Sequence, residues 1–181
     1  MSNKACLILL RHAKSDWDSG VPDDFDRPLA ARGRKDAPRV GKWMKKNGIV
    51  PEIILCSPAV RTRETLAAVK DKLDVGQIVY EDAIYGASLG VLLELVEEYS
   101  RNCSNLMITG HNPGMDKLLS FLSGTQPPLS ETGKLMTTAA LAVLAFNNAD
   151  SMSTAAAGEL LHLVRPNEIL KSGARCDLDT K

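Results

Sequence analysis

A chain of 181 residues is about one domain's worth, and 44% hydrophobic with 24% charged residues is ordinary globular usage, which excludes a disordered segment, a collagen or a coiled-coil rod. Lys plus Arg equals Asp plus Glu at 22 each, and aromatics are only 4%, so neither a global charge nor stacking platforms draw the chain to nucleic acid or anionic lipid. Neither nucleic acid nor membrane is an expected partner. The apolar stretch Ala5 to Leu10 is too short for a secretory core, and no run approaches the roughly 20 residues that span a bilayer. Cys6, Cys56, Cys103 and Cys176 form no C-x-x-C pair and no zinc spacing, so a cytoplasmic location, inert thiols and no metal or other cofactor are expected.

Short apolar runs alternate with helical patterns. Ala5 to Leu10 predicts a buried strand, and Val40, Trp43 and Met44 recur at helical spacing over about 34–46, where Asn47-Gly48 ends the helix. Ile53 to Cys56 predicts a second strand. Ser57-Pro58 then reads as N-cap and first helical residue of a helix carrying Leu66, Val69 and Leu73 on its apolar face. Ile78 to Tyr80 is a third strand, Ser88 starts a third helix through Val91, Leu92, Leu95 and Val96, and Leu106 to Thr109 is a fourth strand. Asn112-Pro113 reads as the start of a fourth helix through Met115, Leu118, Leu119 and Leu122. Thr138 to Phe146 and Glu159 to Val164 predict a closing pair of strands joined by a flexible connection over 152–158. The expected fold is α/β, three layers with a mainly parallel central sheet covered on both faces, as a single domain over 1–170 with a polar tail over 171–181.

Three strands run straight into cationic or imidazole groups: Leu10 into Arg11-His12, Cys56 into Ser57 through Arg61, and Thr109 into Gly110-His111. In an open parallel sheet the carboxyl ends of the strands share one edge, and ligands bind in the crevice just outside it. Arg11, His12, Arg61 and His111 should therefore meet. Two arginine forks, two imidazoles and helix-end amides balance a phosphoryl group without a metal. A neutral imidazole is a competent nucleophile, and the charge of neighbouring Arg11 favours the free base of His12. In-line displacement would give a phosphohistidine on His12, hydrolysed by water while Arg11, Arg61 and His111 hold the phosphate oxygens.

Arg11-His12-Ala13, Asp26-Arg27-Pro28-Leu29 through Gly33, Ser57-Pro58-Ala59-Val60-Arg61-Thr62 with Thr65, and Gly110-His111-Asn112-Pro113-Gly114 together resemble the successive motifs of the histidine phosphatase, or phosphoglycerate mutase-like, superfamily. The resemblance covers roughly residues 5–125, and more weakly to about 166. It implies His12 as the phosphorylated nucleophile and Arg11, Arg61 and His111 as the rest of the phosphate pocket. Only about one helix separates the third and fourth strands, which is similar to the short branch typified by the phosphohistidine phosphatase SixA, with a minimal cap over an open site. That implies a metal-independent phosphatase acting on protein phosphohistidine. The alternatives are a small-molecule phosphomonoesterase or mutase, or a phosphate-binding module without turnover.

Two positions depart from the family pattern. Ala13 replaces a glycine, and Asp18 stands where mutase-like relatives carry an asparagine near the phosphate. The resemblance places Asp82 where those relatives have a glutamate general acid, whereas Ser15 and Asn112 are candidate substrate contacts behind the main four. Asp23, Asp24 and Asp26 read as a solvated acidic loop, His162 as a structural residue of a strand, and Arg32, Arg34, Lys35 and Arg39 as a solvated helix face.

Overall fold

The computed structural model describes residues 4–173. Strand β1 (Ala5–Arg11) is followed by α1 (Ala31–Lys46), β2 (Ile53–Cys56), α2 (Val60–Lys70), β3 (Gln77–Tyr80), α3 (Leu89–Ser100), β4 (Asn105–Gly110) and α4 (Gly114–Leu122). The chain closes with β5 (Leu141–Phe146), β6 (Glu159–Val164) and a last helix, α5 (Pro166–Gly173). One six-stranded sheet has the order β3-β2-β4-β1-β5-β6. β3, β2, β4 and β1 run parallel, β5 is antiparallel to β1, and β6 is antiparallel to β5.

Alternation along the central strands splits the core in two. Leu7 and Leu9 of β1, Leu55 of β2 and Leu106 and Ile108 of β4 pack with Leu92, Val96, Met115 and Leu118 of α3 and α4. Ile8 and Leu10, Ile54 and Cys56, and Met107 turn to the opposite face and meet Val40, Met44, Leu66 and Val69 of α1 and α2. A one-residue slip of any of these strands would exchange the two faces, so the near-continuous apolar runs are what a sheet buried on both sides requires. Every one of these residues is buried.

β1 leads to α1 on one face, while its neighbour β4 leads to α4 on the other. The strand order reverses between them, which opens a crevice at the carboxyl ends of β1 and β4. Backbone bonds tie the emerging loops together there. His12 N donates to Gly110 O at 3.0 Å, Ser57 N to Thr109 O at 3.1 Å and Ala139 N to His12 O at 3.0 Å. Buried Ala139 adopts φ 58°, a left-handed conformation that costs a residue with a Cβ and is held by the surrounding contacts.

Several local expectations are corrected. α1 begins at Ala31 rather than near Arg34, because Arg34 N already bonds to Ala30 O, so Pro38 lies inside the helix. Ser57 is not the helix cap: α2 is entered through Ala59 without a side-chain cap, and the Ser57 hydroxyl lies 2.9 Å from His111 Nε2 while accepting from Ala59 N only at 3.5 Å. Asn112 is likewise one residue too early, since α4 is entered through Pro113 and the Asn112 amide bonds to Asp116. The connection over 152–158 is pinned, not loose: a 3-10 turn at Ala149–Ser153 has a reciprocal Asn148–Ser151 cap, and it buries Met152. Residues 171–173 of the expected tail belong to α5, and 174–181 lie outside the described residues. Among the described residues no helix is long and apolar enough to cross a membrane.

Helix α1 lies directly on the loop that follows His12. A Cβ at Gly33 would overlap the backbone carbonyl oxygen of Lys14, which cannot rotate away. Gly33→Ala is therefore expected to lower unfolding free energy by about 1–3 kcal/mol, read by urea denaturation, and to weaken anion binding in the crevice next to it.

Candidate active site

His12 and His111 leave β1 and β4 side by side, with ring centroids 5.1 Å apart, and both are buried. His12 Nδ1 lies 2.8 Å from the Ala13 carbonyl oxygen. A carbonyl can only accept, so this nitrogen carries the proton and Nε2 keeps the lone pair. Burial, reinforced by the charges of Arg61 and Arg11 and by His111, pushes the His12 pKa down to about 3 against the bond to Ala13. His12 is thus a neutral, oriented imidazole throughout the physiological range. Ala13, which stands where the family pattern has a glycine, adopts no left-handed backbone, and its own N–H donates to Thr65 Oγ1 at 2.9 Å.

His111 Nε2 lies 2.9 Å from Ser57 Oγ, while its Nδ1 is buried without a partner. A hydroxyl can donate or accept, so Ser57 supports either ring tautomer. Burial and then the positive charge of Arg61 push the His111 pKa down to about 4, with Asp24 opposing. Arg61 is 5% exposed, and its Nη1 and Nη2 donate to the carbonyl and carboxylate of Asp24 at 2.5 and 2.9 Å, leaving Nε unpartnered. Arg11 Nη1 donates to Met136 O at 2.7 Å, and its Nε too is buried without a partner. Three buried nitrogens, Nε of each arginine and Nδ1 of His111, therefore lack a partner within a group of residues close enough for their charges to act on one another. The two guanidinium Nε groups are donors without an acceptor, and such donors suit an anion.

The other expected site residues fall behind or beside this group. Ser15 is buried and its hydroxyl accepts from Arg27 Nη1 at 2.6 Å, so it positions an arginine. Asn112 Nδ2 donates to Asp116 Oδ2 at 2.8 Å and to Met136 O at 3.3 Å. Asp82 is exposed in a 3-10 turn, Asp82–Ile84, just past β3, and its carboxylate bonds to none of the site residues. Asp18 is exposed on the loop over 14–28.

Asp24 contradicts the reading of a merely solvated acidic loop. Its carboxylate takes Arg27 Nε and Nη2 on one oxygen, and Arg61 Nη2 and the Tyr85 hydroxyl on the other. Although desolvation opposes ionisation, bonds from Arg27 and Tyr85 and the charge of both arginines hold its pKa at about 2. Tyr85 in turn sets its ring edge to His111 at 5.4 Å and lies 5.7 Å from the Arg61 guanidinium carbon. Sequence reasoning missed Arg27, Asp24, Tyr85 and Asp116. Only Arg27 carried a signal, as part of the quoted Asp26-Arg27-Pro28-Leu29 motif. Among the described residues no group of three His, Cys, Asp or Glu side chains could hold a metal ion.

Asp116 binds Met136 N with one oxygen and the Asn112 amide with the other, and Met136 O in turn holds Arg11. Its charge also opposes the lowering of the Arg11 pKa by burial. Asp116→Ala should weaken binding of tungstate about ten-fold in titration calorimetry, with Asp116→Asn recovering part of the loss because it keeps one acceptor. Both buried histidines have folded pKa values below their unfolded value, so the unfolded chain binds more protons in acid. Stability is then full above about pH 6.5 and falls as pH drops toward 4 and 3. Urea midpoints measured across that range should flatten in a His12→Asn, His111→Asn double variant.

The model of the histidine phosphatase superfamily (branch 1) matches residues 7–113. An uncharacterised chloroplastic protein of Arabidopsis thaliana is 36% identical over 152 residues, 78% of this chain and 67% of that protein. An uncharacterised Mycobacterium tuberculosis protein is 36% identical over 125 residues, 67% of this chain and 77% of that protein. A solved structure from Agrobacterium tumefaciens, described as a candidate phosphohistidine phosphatase SixA, superposes with TM-score 0.73 at 27% identity, covering 90% of this chain and 98% of that one. A protein histidine phosphatase SixA solved with tungstate shares the fold at TM-score 0.76 and 21% identity, covering 91% of this chain and 99% of that one. The matched span runs from β1 to the start of α4 and so takes in Arg11, His12, Arg61 and His111; the chain belongs to branch 1 of the histidine phosphatase superfamily.

Proposed function

We propose that this chain is a phosphatase that passes the phosphoryl group through His12 and acts on phosphohistidine in proteins. The observation that carries the reading is a neutral His12, lone pair on Nε2, lying beside Arg11, Arg61 and His111, each of which keeps an unpartnered nitrogen. The likeness to SixA structures supports the substrate class.

In the first step a P–N bond forms to His12 Nε2 as the bond from phosphorus to the leaving imidazole breaks, and that imidazole takes its proton from solvent. Arg11, Arg61 and His111 face the phosphate oxygens, where charge spreads in the transition state. In the second step water attacks phosphorus, the P–Nε2 bond breaks, and inorganic phosphate leaves with His12 again neutral. The bond from His12 Nδ1 to Ala13 O persists throughout, holding the ring in plane and steadying positive charge on the phosphorylated imidazole.

An imidazole leaves more readily than an alkoxide, so a dedicated acid is dispensable for phosphohistidine. On this reading Asp82 serves only esters with oxygen leaving groups, and Asp82→Asn should slow such esters by about ten-fold or more while sparing a phosphohistidine substrate.

The decisive assay supplies a phosphohistidine-bearing protein and a chromogenic phosphate ester, each with EDTA, to wild type and His12→Ala. Turnover of the phosphohistidine protein, lost by at least about a thousand-fold in the variant, is expected. Hydrolysis of the small ester alone would make it a phosphomonoesterase, and phosphate binding without turnover would make it a sensor.

A further inference from the structure

The loop over 14–28 forms one wall of the crevice through Asp24, which touches Arg61 and Tyr85, and its charge opposes that of the pocket. It carries five aspartates, at 16, 18, 23, 24 and 26, against Lys14 and Arg27. Asp24 is spent on the two arginines, and Asp16 and Asp23 accept backbone N–H groups within the loop. The carboxylates of Asp18 and Asp26 are exposed and take part in none of the loop's hydrogen bonds. An acidic wall therefore borders the site where Arg61 and His111 lie buried with unpartnered nitrogens.

The same wall is apolar in an unusual way. Trp17 is 69% exposed, with the Arg27 guanidinium carbon 3.6 Å from its ring centroid, so one face is covered and the other is open. Contacts run without a break from Trp17 through Arg27 and Asp24 to Tyr85, whose ring meets Phe25 edge-on at 5.1 Å. Val21, on the same loop, is also exposed. An open indole on a short loop that also carries the exposed carboxylates of Asp18 and Asp26 suits Lys or Arg, through cation–π contact and charge pairing together.

We infer that the wall formed by Trp17, Asp18 and Asp26 docks a polypeptide whose phosphorylated histidine is flanked by Lys or Arg. This rests on the phosphohistidine reading above and narrows it. A phosphoryl group framed by positive charge matches a cationic pocket framed by negative charge, whereas a small polyanion gains at the centre and is repelled at the edge within about a Debye length of 8–10 Å.

The test uses the full chain with two synthetic phosphohistidine peptides of equal length, one flanked by lysines and one by glutamates, and a small phosphate ester. At about 0.05 M salt the lysine peptide should show about ten-fold higher kcat/KM, and the ratio should shrink toward one at about 0.5 M salt. Asp18→Asn with Asp26→Asn should reduce the ratio, and Asp18→Lys with Asp26→Lys should invert it. A ratio near one in wild type, or one unchanged in both double variants, overturns the docking proposal and leaves the phosphohistidine reading standing. Hydrolysis of the ester with neither peptide dephosphorylated overturns both.

Discussion

Burial acts differently on imidazole and on guanidinium, and the chemistry of the crevice follows from that difference. Around the ends of β1 and β4, His12, His111 and Arg61 of α2 are buried and Arg11 is half-buried. A histidine whose ordinary pKa lies near 6.5 yields to desolvation, and His12 and His111 fall to about 3 and 4. An arginine keeps its charge at any pH the fold survives. The same low-dielectric setting thus keeps His12 a neutral imidazole with the positive charges of Arg11 and Arg61 beside it. No side chain has to be specialised beyond its position.

The buried Arg61 and half-buried Arg11 guanidinium groups need counter-anions in the free protein, and the structure supplies them from different directions. Asp24 occupies both Nη groups of Arg61 and pairs with Arg27, while Asp116 acts on Arg11 through Met136 and through space. In each case Nε stays unpartnered, so the arginines are held in place without being filled. Arg165 extends the frame, since its guanidinium holds the carbonyls of Pro128 and Leu135, next to the Met136 that Arg11 contacts. On the proposed reading, preorganisation of this kind spares the donors from having to move toward the phosphate charge.

The layers and the main edge of the site were legible because they depend on local patterns. Uninterrupted apolar strands alternating with helices imply a parallel sheet, and a polar residue at the end of such a strand can only lie on the sheet's edge. Ser57 and Asn112 were misread as caps for a related reason: beside a proline, their composition favours a helix start, yet His111 and Asp116 compete for the same side chains in three dimensions. Asp24, Tyr85 and Asp116 reach the site from segments far apart in the chain with no periodicity to announce them. An aspartate in a Pro-containing loop looks the same in sequence whether water or two arginines surround it. The resemblance to the superfamily supplied the roles of the central four residues but not this supporting frame.

The central claim is that His12 waits in the free protein as a neutral imidazole with its proton on Nδ1. Nitrogen-15 NMR of the ring nitrogens, recorded from pH 8 down to the acid limit of folding, tests it directly. The account predicts that His12 shows a protonated Nδ1 and a bare Nε2 at pH 7 and stays neutral to below about pH 4. A His12 ring titrating near pH 6.5, or carrying its proton on Nε2, would contradict it.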